Sequence, residues 1–279
     1  MILSAENIEV GFRKERQTRI FGRERQQVVR GVSLAIERGE CFALVGESGS
    51  GKSTLGRVLC GLQRPEAGRV MIGGLDLYGR HGAAERKRLR HKISIVFQDY
   101  TTSVNPRFRV REIVGESLRA LAIAGKPVNR EKRTAELLEM VGLSGAHADR
   151  YPHELSGGQL QRVCIARAVA IEPEIIVLDE AISSLDASTQ VQVMDLLIEL
   201  RNEQRFSYFF ITHDLTAVTY MCDRVAFFEG GRIVETVEDI SQLSCVKSEY
   251  ARRLLGSVIG IEGMDEEADR ADRTNRKAG

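Results

Sequence analysis

The chain has 279 residues, 43% of them hydrophobic and 28% charged, and its 40 Lys and Arg offset 39 Asp and Glu to leave a net charge of +1. That composition fits a globular protein with apolar mass for one large domain or two small ones, and the near-neutral balance excludes a global pull toward nucleic acid or an acidic surface. No apolar run approaches the roughly 20 residues that a membrane span needs, and residues 1–6 lack the basic and apolar regions of a signal peptide, so the chain is expected in the cytoplasm, reaching a membrane only through a partner.

Residues 4–10 alternate apolar and polar side chains, as a half-buried strand does. Residues 11–30 hold Arg13, Lys14, Arg16, Arg19, Arg23, Arg25 and Arg30, diluted by Glu15 and Glu24. A solvated loop is the default for such a stretch, with contact to acidic lipid or to a partner as the alternative. Phe21 within it, with Phe12 as the rival, is the candidate to stack on a nucleotide base. Residues 32–36 alternate again, and Arg38-Gly39-Glu40 is a turn.

Cys41-Phe42-Ala43-Leu44-Val45 reads as a buried strand. The stretch that follows, Gly46-Glu47-Ser48-Gly49-Ser50-Gly51-Lys52-Ser53-Thr54, matches the phosphate-loop pattern GxxxxGK[ST]. Residues 53–62 then read as a helix with Thr54, Leu55, Val58, Leu59 and Leu62 on one face. The motif requires this order of strand, glycine turn and helix. The glycines let successive N–H groups converge on an anion, and the helix adds its positive end. Lys52 is placed to reach the β- and γ-phosphates, and the Ser53 hydroxyl to ligate Mg²⁺. A plain glycine-rich turn beside a lysine would not need that flanking context.

Short strands are expected around residues 69–72, between Pro65, Gly68 and the Gly73-Gly74 pair, and a charged surface helix over 85–91. Residues 93–97 form another strand, ending at Gln98, where α/β proteins place ligand-binding groups. Residues 99–170 then carry helical patterns at 110–123 and 130–141 and, after Leu155-Ser156-Gly157-Gly158-Gln159, through 171. This block reads as an α-helical insert in an α/β domain.

Ile175-Ile176-Val177-Leu178-Asp179-Glu180 returns to buried strand and ends in two carboxylates. Asp179 would hold the Mg²⁺ shell. Glu180, one residue on, would act as general base toward a water. A helix is expected at 191–200, and a strand at 208–212 that ends at His213-Asp214. His213 could sense a γ-phosphate, although a lone histidine is more often simply satisfied. A hairpin follows over 225–228 and 232–235, then a helix at 248–255. Residues 262–279 are charged, poor in apolar side chains and expected to be disordered. The five cysteines lack a CxxC pair and read as free, mostly buried thiols, and His147 with His153 lacks neighbouring ligands for a metal site.

Gly46 to Ser53, Gln98, the LSGGQ run, Ile175 to Glu180, Ser184-Leu185-Asp186 and His213 stand in the order of an ATP-binding-cassette ATPase, which the chain resembles from about Leu3 to Glu235. LSGGQ makes the resemblance specific. It implies a phosphate-loop NTPase (RecA-like) α/β core with an antiparallel β subdomain and the inserted helical subdomain at about 99–170, so that 1–235 is the ATPase domain, 236–261 an extension and 262–279 a tail. It implies ATP with Mg²⁺ bound between two cassettes, the phosphate loop of one facing Ser156, Gly157, Gly158 and Gln159 of the other. By the same resemblance Gln98 is the lid that sees Mg²⁺ and the water, Asp186 belongs to the dimer-crossing loop, and His213 is the γ-phosphate switch beside Lys52 and Glu180.

Val96-Phe97-Gln98-Asp99, Ser103-Val104-Asn105-Pro106-Arg107 and Ile211-Thr212-His213-Asp214-Leu215 resemble the peptide/nickel importer group. Peptide members more often have Pro-Thr or Pro-Val after the catalytic glutamate, where this chain has Ala181-Ile182, and many carry a cysteine-bearing segment after the cassette, where this chain has only Cys245. Both departures favour the nickel members. The resemblance then implies two transmembrane permease subunits, a second and non-identical ABC ATPase, a solute-binding protein, no nucleic acid, and a peripheral place on the cytoplasmic face of the membrane. The alternatives are the same role in a di- or oligopeptide importer, a soluble cassette ATPase acting on nucleic acid or ribosomes, which one motif set and no sustained heptads disfavour, and a regulatory subunit without hydrolysis, which intact Lys52, Asp179, Glu180 and His213 disfavour.

Overall fold

The computed structural model describes residues 1–13, 25–123 and 129–259. Phe21, most of the basic stretch and the 262–279 tail lie outside these residues.

Two sheets arise from two kinds of strand. β1 (Leu3–Arg13), β2 (Arg25–Ile36), β4 (Ala67–Ile72) and β5 (Leu75–Asp76) form an antiparallel sheet in the order β2-β1-β4-β5. β2 begins seven residues earlier than the 32–36 alternation indicates, because its first half pairs with the end of β1 out to Arg13–Arg25. β3 (Cys41–Val45), β6 (Ile93–Val96), β7 (Ile175–Asp179), β8 (Ser207–Thr212), β9 (Arg224–Glu229) and β10 (Arg232–Val237) form the second sheet, ordered β10-β9-β3-β8-β7-β6. Its neighbours are parallel except for the β9–β10 hairpin.

β3, β7 and β8 are buried along their whole length, as strands covered on both faces must be. Their period of two survives inside the apolar runs. Phe42, Leu44, Ile175, Val177, Phe209 and Ile211 face one cluster, shared with the antiparallel sheet and with Leu55, Val58 and Leu59 of α1 (Lys52–Leu59). Cys41, Ala43, Val45, Ile176, Leu178, Tyr208 and Phe210 face the other. That second cluster takes in α3 (Val110–Ile123, after the charged α2, Ala83–His91), α4 (Arg130–Met140), α5 (Gly157–Val169), α6 (Ala187–Gln204), α7 (Leu215–Met221) and α8 (Glu249–Ile259).

Between β6 and β7 the described chain forms no strand, and α3, α4 and α5 pack on one another there. α1 ends three residues short of the 53–62 expectation. The Gly61 N–H turns back to the Val58 carbonyl at 3.1 Å, and Leu62 is 59% exposed instead of lying on the apolar face. β10 runs to Val237, two residues past residue 235, and Tyr250, Ala251 and Leu255 of α8 belong to the same core as the sheet. Three cysteines are buried, with the Cys41 and Cys222 sulfurs 3.2 Å apart, while Cys60 is half-buried and Cys245 exposed.

Candidate functional site

Four neighbouring parallel strands end level with one another, and their carboxyl ends deliver most of the polar residues that the sequence singles out. In the order β3-β8-β7-β6, Val45 pairs with Thr212, Asp179 with Ile211 and Val96 with Leu178. The next residues along these strands are the 46–54 loop, His213, Glu180 and, two past Val96, Gln98. A crevice beyond the carboxyl ends of parallel strands is where open α/β sheets bind ligands.

The loop after β3 is shaped by what cannot fit. Gly51 has φ of 109°, a conformation that L side chains rarely adopt, and a Cβ there would stand 2.8 Å from both Cγ1 and the carbonyl oxygen of Val28. A Cβ on Gly46 would lie 2.2 Å from the Phe228 carbonyl oxygen. Lys52, 3% exposed, folds over the loop so that its Nζ donates to the Gly46 and Glu47 carbonyls, each at 2.7 Å. Burial lowers the Lys52 pKa, against the opposing pull of the Glu180, Asp179 and Glu47 charges. The Ser50 Oγ is buried with no hydrogen-bond partner among the described residues. A glycine cradle that excludes side chains, a buried cation and an orphan hydroxyl together suit a multiply charged anion such as a nucleotide's phosphates.

Beside the loop, the Ser53 Oγ donates to the Asp179 Oδ1 at 2.8 Å. Asp179 is 5% exposed, and burial raises its pKa, with the Ser53 hydrogen bond opposing and the Glu180 charge adding to the rise. These two hard oxygen donors fit Mg²⁺. Glu180 sits at φ of 48°, left-handed for a non-glycine residue, and its N–H bonds the Ile211 carbonyl at 2.9 Å. Its Oε1 lies 3.7 Å from Nδ1 of His213, too long for a hydrogen bond and close enough for a shared ligand. His213 and Gln98 are exposed.

The LSGGQ run builds a second cluster at the start of α5. The Ser156 Oγ accepts from the Gln159 N–H at 3.2 Å and the Gln159 Oε1 accepts from the Ser156 N–H at 3.1 Å, a reciprocal cap. The two glycines are held by close neighbours, since a Cβ on Gly157 would meet the Tyr100 hydroxyl at 2.7 Å and one on Gly158 the Thr189 Cγ2 at 2.5 Å. Thr189 is in turn fixed by Asp186, which caps α6 by accepting from the Thr189 N–H at 3.0 Å and Oγ1 at 2.7 Å, and from the Ser188 Oγ at 2.6 Å. The Ser188 and Thr189 hydroxyls hold the Asp186 carboxyl well below its ordinary range. Among the described residues, no hydrogen bond or ion pair joins Ser156, Gln159 or Asp186 to the 46–54 loop, Asp179, Glu180 or His213.

Two features escape motif spacing. Ser50 carries no signal that its hydroxyl would be the orphan in the loop. Tyr250, in a helix foreseen only as a helix, accepts the Glu47 N–H at 2.9 Å across 203 positions of sequence. Phe12 is 45% exposed in β1, opposite Gln26.

The family model described as ABC transporter matches residues 29–183. The chain is 46% identical to the metal-staphylopine import system ATP-binding protein CntF of Staphylococcus aureus over 85% of this chain and 92% of that one. It is 47% identical to a putative peptide import ATP-binding protein of Brucella abortus, over 81% and 68% of the two chains. With the oligopeptide transport ATP-binding protein OppF of Bacillus subtilis it shares 42% identity over 86% and 78%. Among solved structures, the dimeric post-hydrolysis state of the ATP-binding cassette MJ0796, bound to ADP and Pi, superimposes with a TM-score of 0.71 at 30% identity, covering 85% of this chain and 98% of that one.

Proposed function

The chain belongs to the ABC transporter family, and on that premise we propose that it is the ATP-hydrolysing subunit of an importer, bound peripherally to the cytoplasmic face of the membrane. The observation that carries the reading is the meeting of Lys52, Ser53, Asp179 and Glu180 at the ends of β3 and β7, with Ser53 and Asp179 joined at 2.8 Å.

In this reading the 46–54 N–H groups and Lys52 bind the phosphates, and Lys52 trades its two loop carbonyls for phosphate oxygens. Ser53 and Asp179 would hold Mg²⁺, with Gln98, two residues past β6, as a further ligand, and the metal would neutralise developing phosphate charge. Glu180 would orient and deprotonate a water, its carboxylate lying 3.7 Å from the His213 ring at the neighbouring strand end. His213 stands across from Glu180 on the γ-phosphate side. Ser156, Gly157, Gly158, Gln159 and Asp186 would serve the nucleotide of a partner cassette, a reading supported by the hydrogen bonds of Ser156, Gln159 and Asp186, which close within their own cluster.

No helix of the described residues is long and apolar enough to cross a membrane; on the similarity to import ATP-binding proteins we place two transmembrane permease subunits beside the chain. With them we place a second, non-identical ABC ATPase and a solute-binding protein. For the cargo we propose a metal, nickel first, on the Ala181-Ile182 sequence and on the similarity to a metal-staphylopine import protein. The similarity to peptide and oligopeptide transport proteins favours di- or oligopeptides as the second reading.

Uptake of radiolabelled nickel into cells lacking this chain, complemented by wild type or Lys52→Ala, tests the proposal, with free nickel, a nickel–chelator complex and oligopeptides as competitors. Uptake restored by wild type alone and not suppressed by peptides is the expected result. Unchanged nickel uptake with failed peptide uptake moves the cargo to peptides. Full activity with Lys52→Ala removes the assigned motor.

A further inference from the structure

The segment after β10 returns to the phosphate loop. The peptide unit joining Gly46 and Glu47 is held at both poles. Its carbonyl oxygen accepts from Lys52 Nζ at 2.7 Å, and its N–H donates to the Tyr250 hydroxyl oxygen at 2.9 Å. Its two dipole ends point in opposite directions, as in any trans peptide, so the two bonds together fix the rotation of that unit and the direction in which the loop leaves β3.

Tyr250 is a firm anchor. It is 4% exposed in a helix whose Ala251 and Leu255 are buried in the main core. The Glu235 carboxylate accepts the N–H groups of Lys247 and Ser248, each at 2.7 Å, and ties the start of α8 to β10. The Arg253 guanidinium lies 5.9 Å from the centre of the Tyr250 ring and 3.4 Å from Glu229 at the end of β9. The loop it holds, by contrast, is exposed from Glu47 to Gly49, where water would otherwise compete for the amide. We propose that Tyr250 is a positioning residue for nucleotide binding, its hydroxyl presetting the Gly46–Glu47 peptide and so the phosphate cradle. This rests on the reading of residues 46–54 as the phosphate loop. Presetting lowers the ordering cost at the moment of binding.

The test uses the full chain as wild type, Tyr250→Phe, Leu255→Ala and Lys52→Ala. Affinity for MgATP is measured by titration calorimetry and the thermal midpoint without nucleotide. Tyr250→Phe keeps the ring and loses one neutral hydrogen bond, so MgATP affinity should fall about 2- to 10-fold with little change in midpoint, since water can reach the freed amide. Leu255→Ala, which leaves the hydroxyl in place, should lower the midpoint and spare affinity. In the assembled transporter Tyr250→Phe should raise KM for ATP and leave kcat unchanged. Wild-type affinity in Tyr250→Phe, or affinity that tracks the midpoint in both α8 variants, overturns the inference. If Lys52→Ala abolishes binding while Tyr250→Phe keeps the wild-type affinity, the phosphate-loop reading stands and only the inference falls. Wild-type affinity in Lys52→Ala overturns both.

Discussion

Asp179 is asked to carry a charge where the fold disfavours one. Burial at the end of β7 and the Glu180 charge raise its pKa, and the Ser53 hydroxyl offsets only part of that rise. A carboxyl whose folded pKa lies above its unfolded value of 3.8 binds its proton more tightly in the native state, so native stability declines as pH rises through that window and stays lower at neutral pH. Asp179→Asn keeps an Oδ1 acceptor for Ser53 and removes the conflict. The nucleotide-free variant should therefore melt higher than wild type at pH 7, with the gain fading as the pH drops below the unfolded value, while stabilisation by MgATP is lost. An equal or lower midpoint at pH 7 would contradict this. The meeting of Asp179 with Ser53 is legible in the sequence, because the two motifs stand at the ends of buried strands of one sheet. The left-handed turn at Glu180 is not, since nothing about a glutamate signals positive φ.

Elements follow the same division. β3, β7 and β8 were legible nearly to the residue, because short apolar runs bounded by polar residues have few alternatives. α7 was not, because seven residues are too few to show a period and only the Asp214 cap marks its start. The early end of α1 was hidden by Leu62, which fits the helical repeat although the chain has already turned. The loop between β3 and α1 is the element most tightly specified, and Gly51 tests why. Gly51→Ala combines strain of roughly 1–2 kcal/mol for a left-handed L residue with an overpacking clash against Val28 worth about 1–3 kcal/mol. Gly74→Ala is a matched control, with φ of 81° and no atom within 4 Å of its Cβ. Urea unfolding should show the larger loss for Gly51→Ala, together with MgATP affinity weakened more than tenfold. Equal losses would mean that β2 gives way and the clash decides nothing.

At the scale of the molecule, the 46–54 loop and the LSGGQ cluster belong to one chain and share no hydrogen bond or ion pair among the described residues. The α5 start, its two glycines kept bare by Tyr100 and Thr189, closes a cap on itself, and on the proposed reading its remaining first-turn N–H groups would serve an anion held by another cassette's loop. A second cassette turned head to tail would bring that end to the γ-phosphate, and ATP would then hold two half-sites together until hydrolysis removes the phosphate that both grip. Glu180→Gln isolates this state. It preserves size and the strand-end hydrogen bond and removes the carboxylate that we assign as the base, so turnover in the assembled transporter should fall at least about 100-fold, within the range one catalytic base supplies, with ATP affinity retained. Light scattering of the purified variant should show association that requires ATP and is abolished by Ser156→Arg, which on this reading would intrude on the partner's phosphates without touching the variant's own loop. Association that ignores Ser156→Arg would place the contact elsewhere. Association seen only after adding the second ATPase proposed above would assign the composite sites to a non-identical pair, because each half-site then needs a complement that a second copy of this chain does not offer.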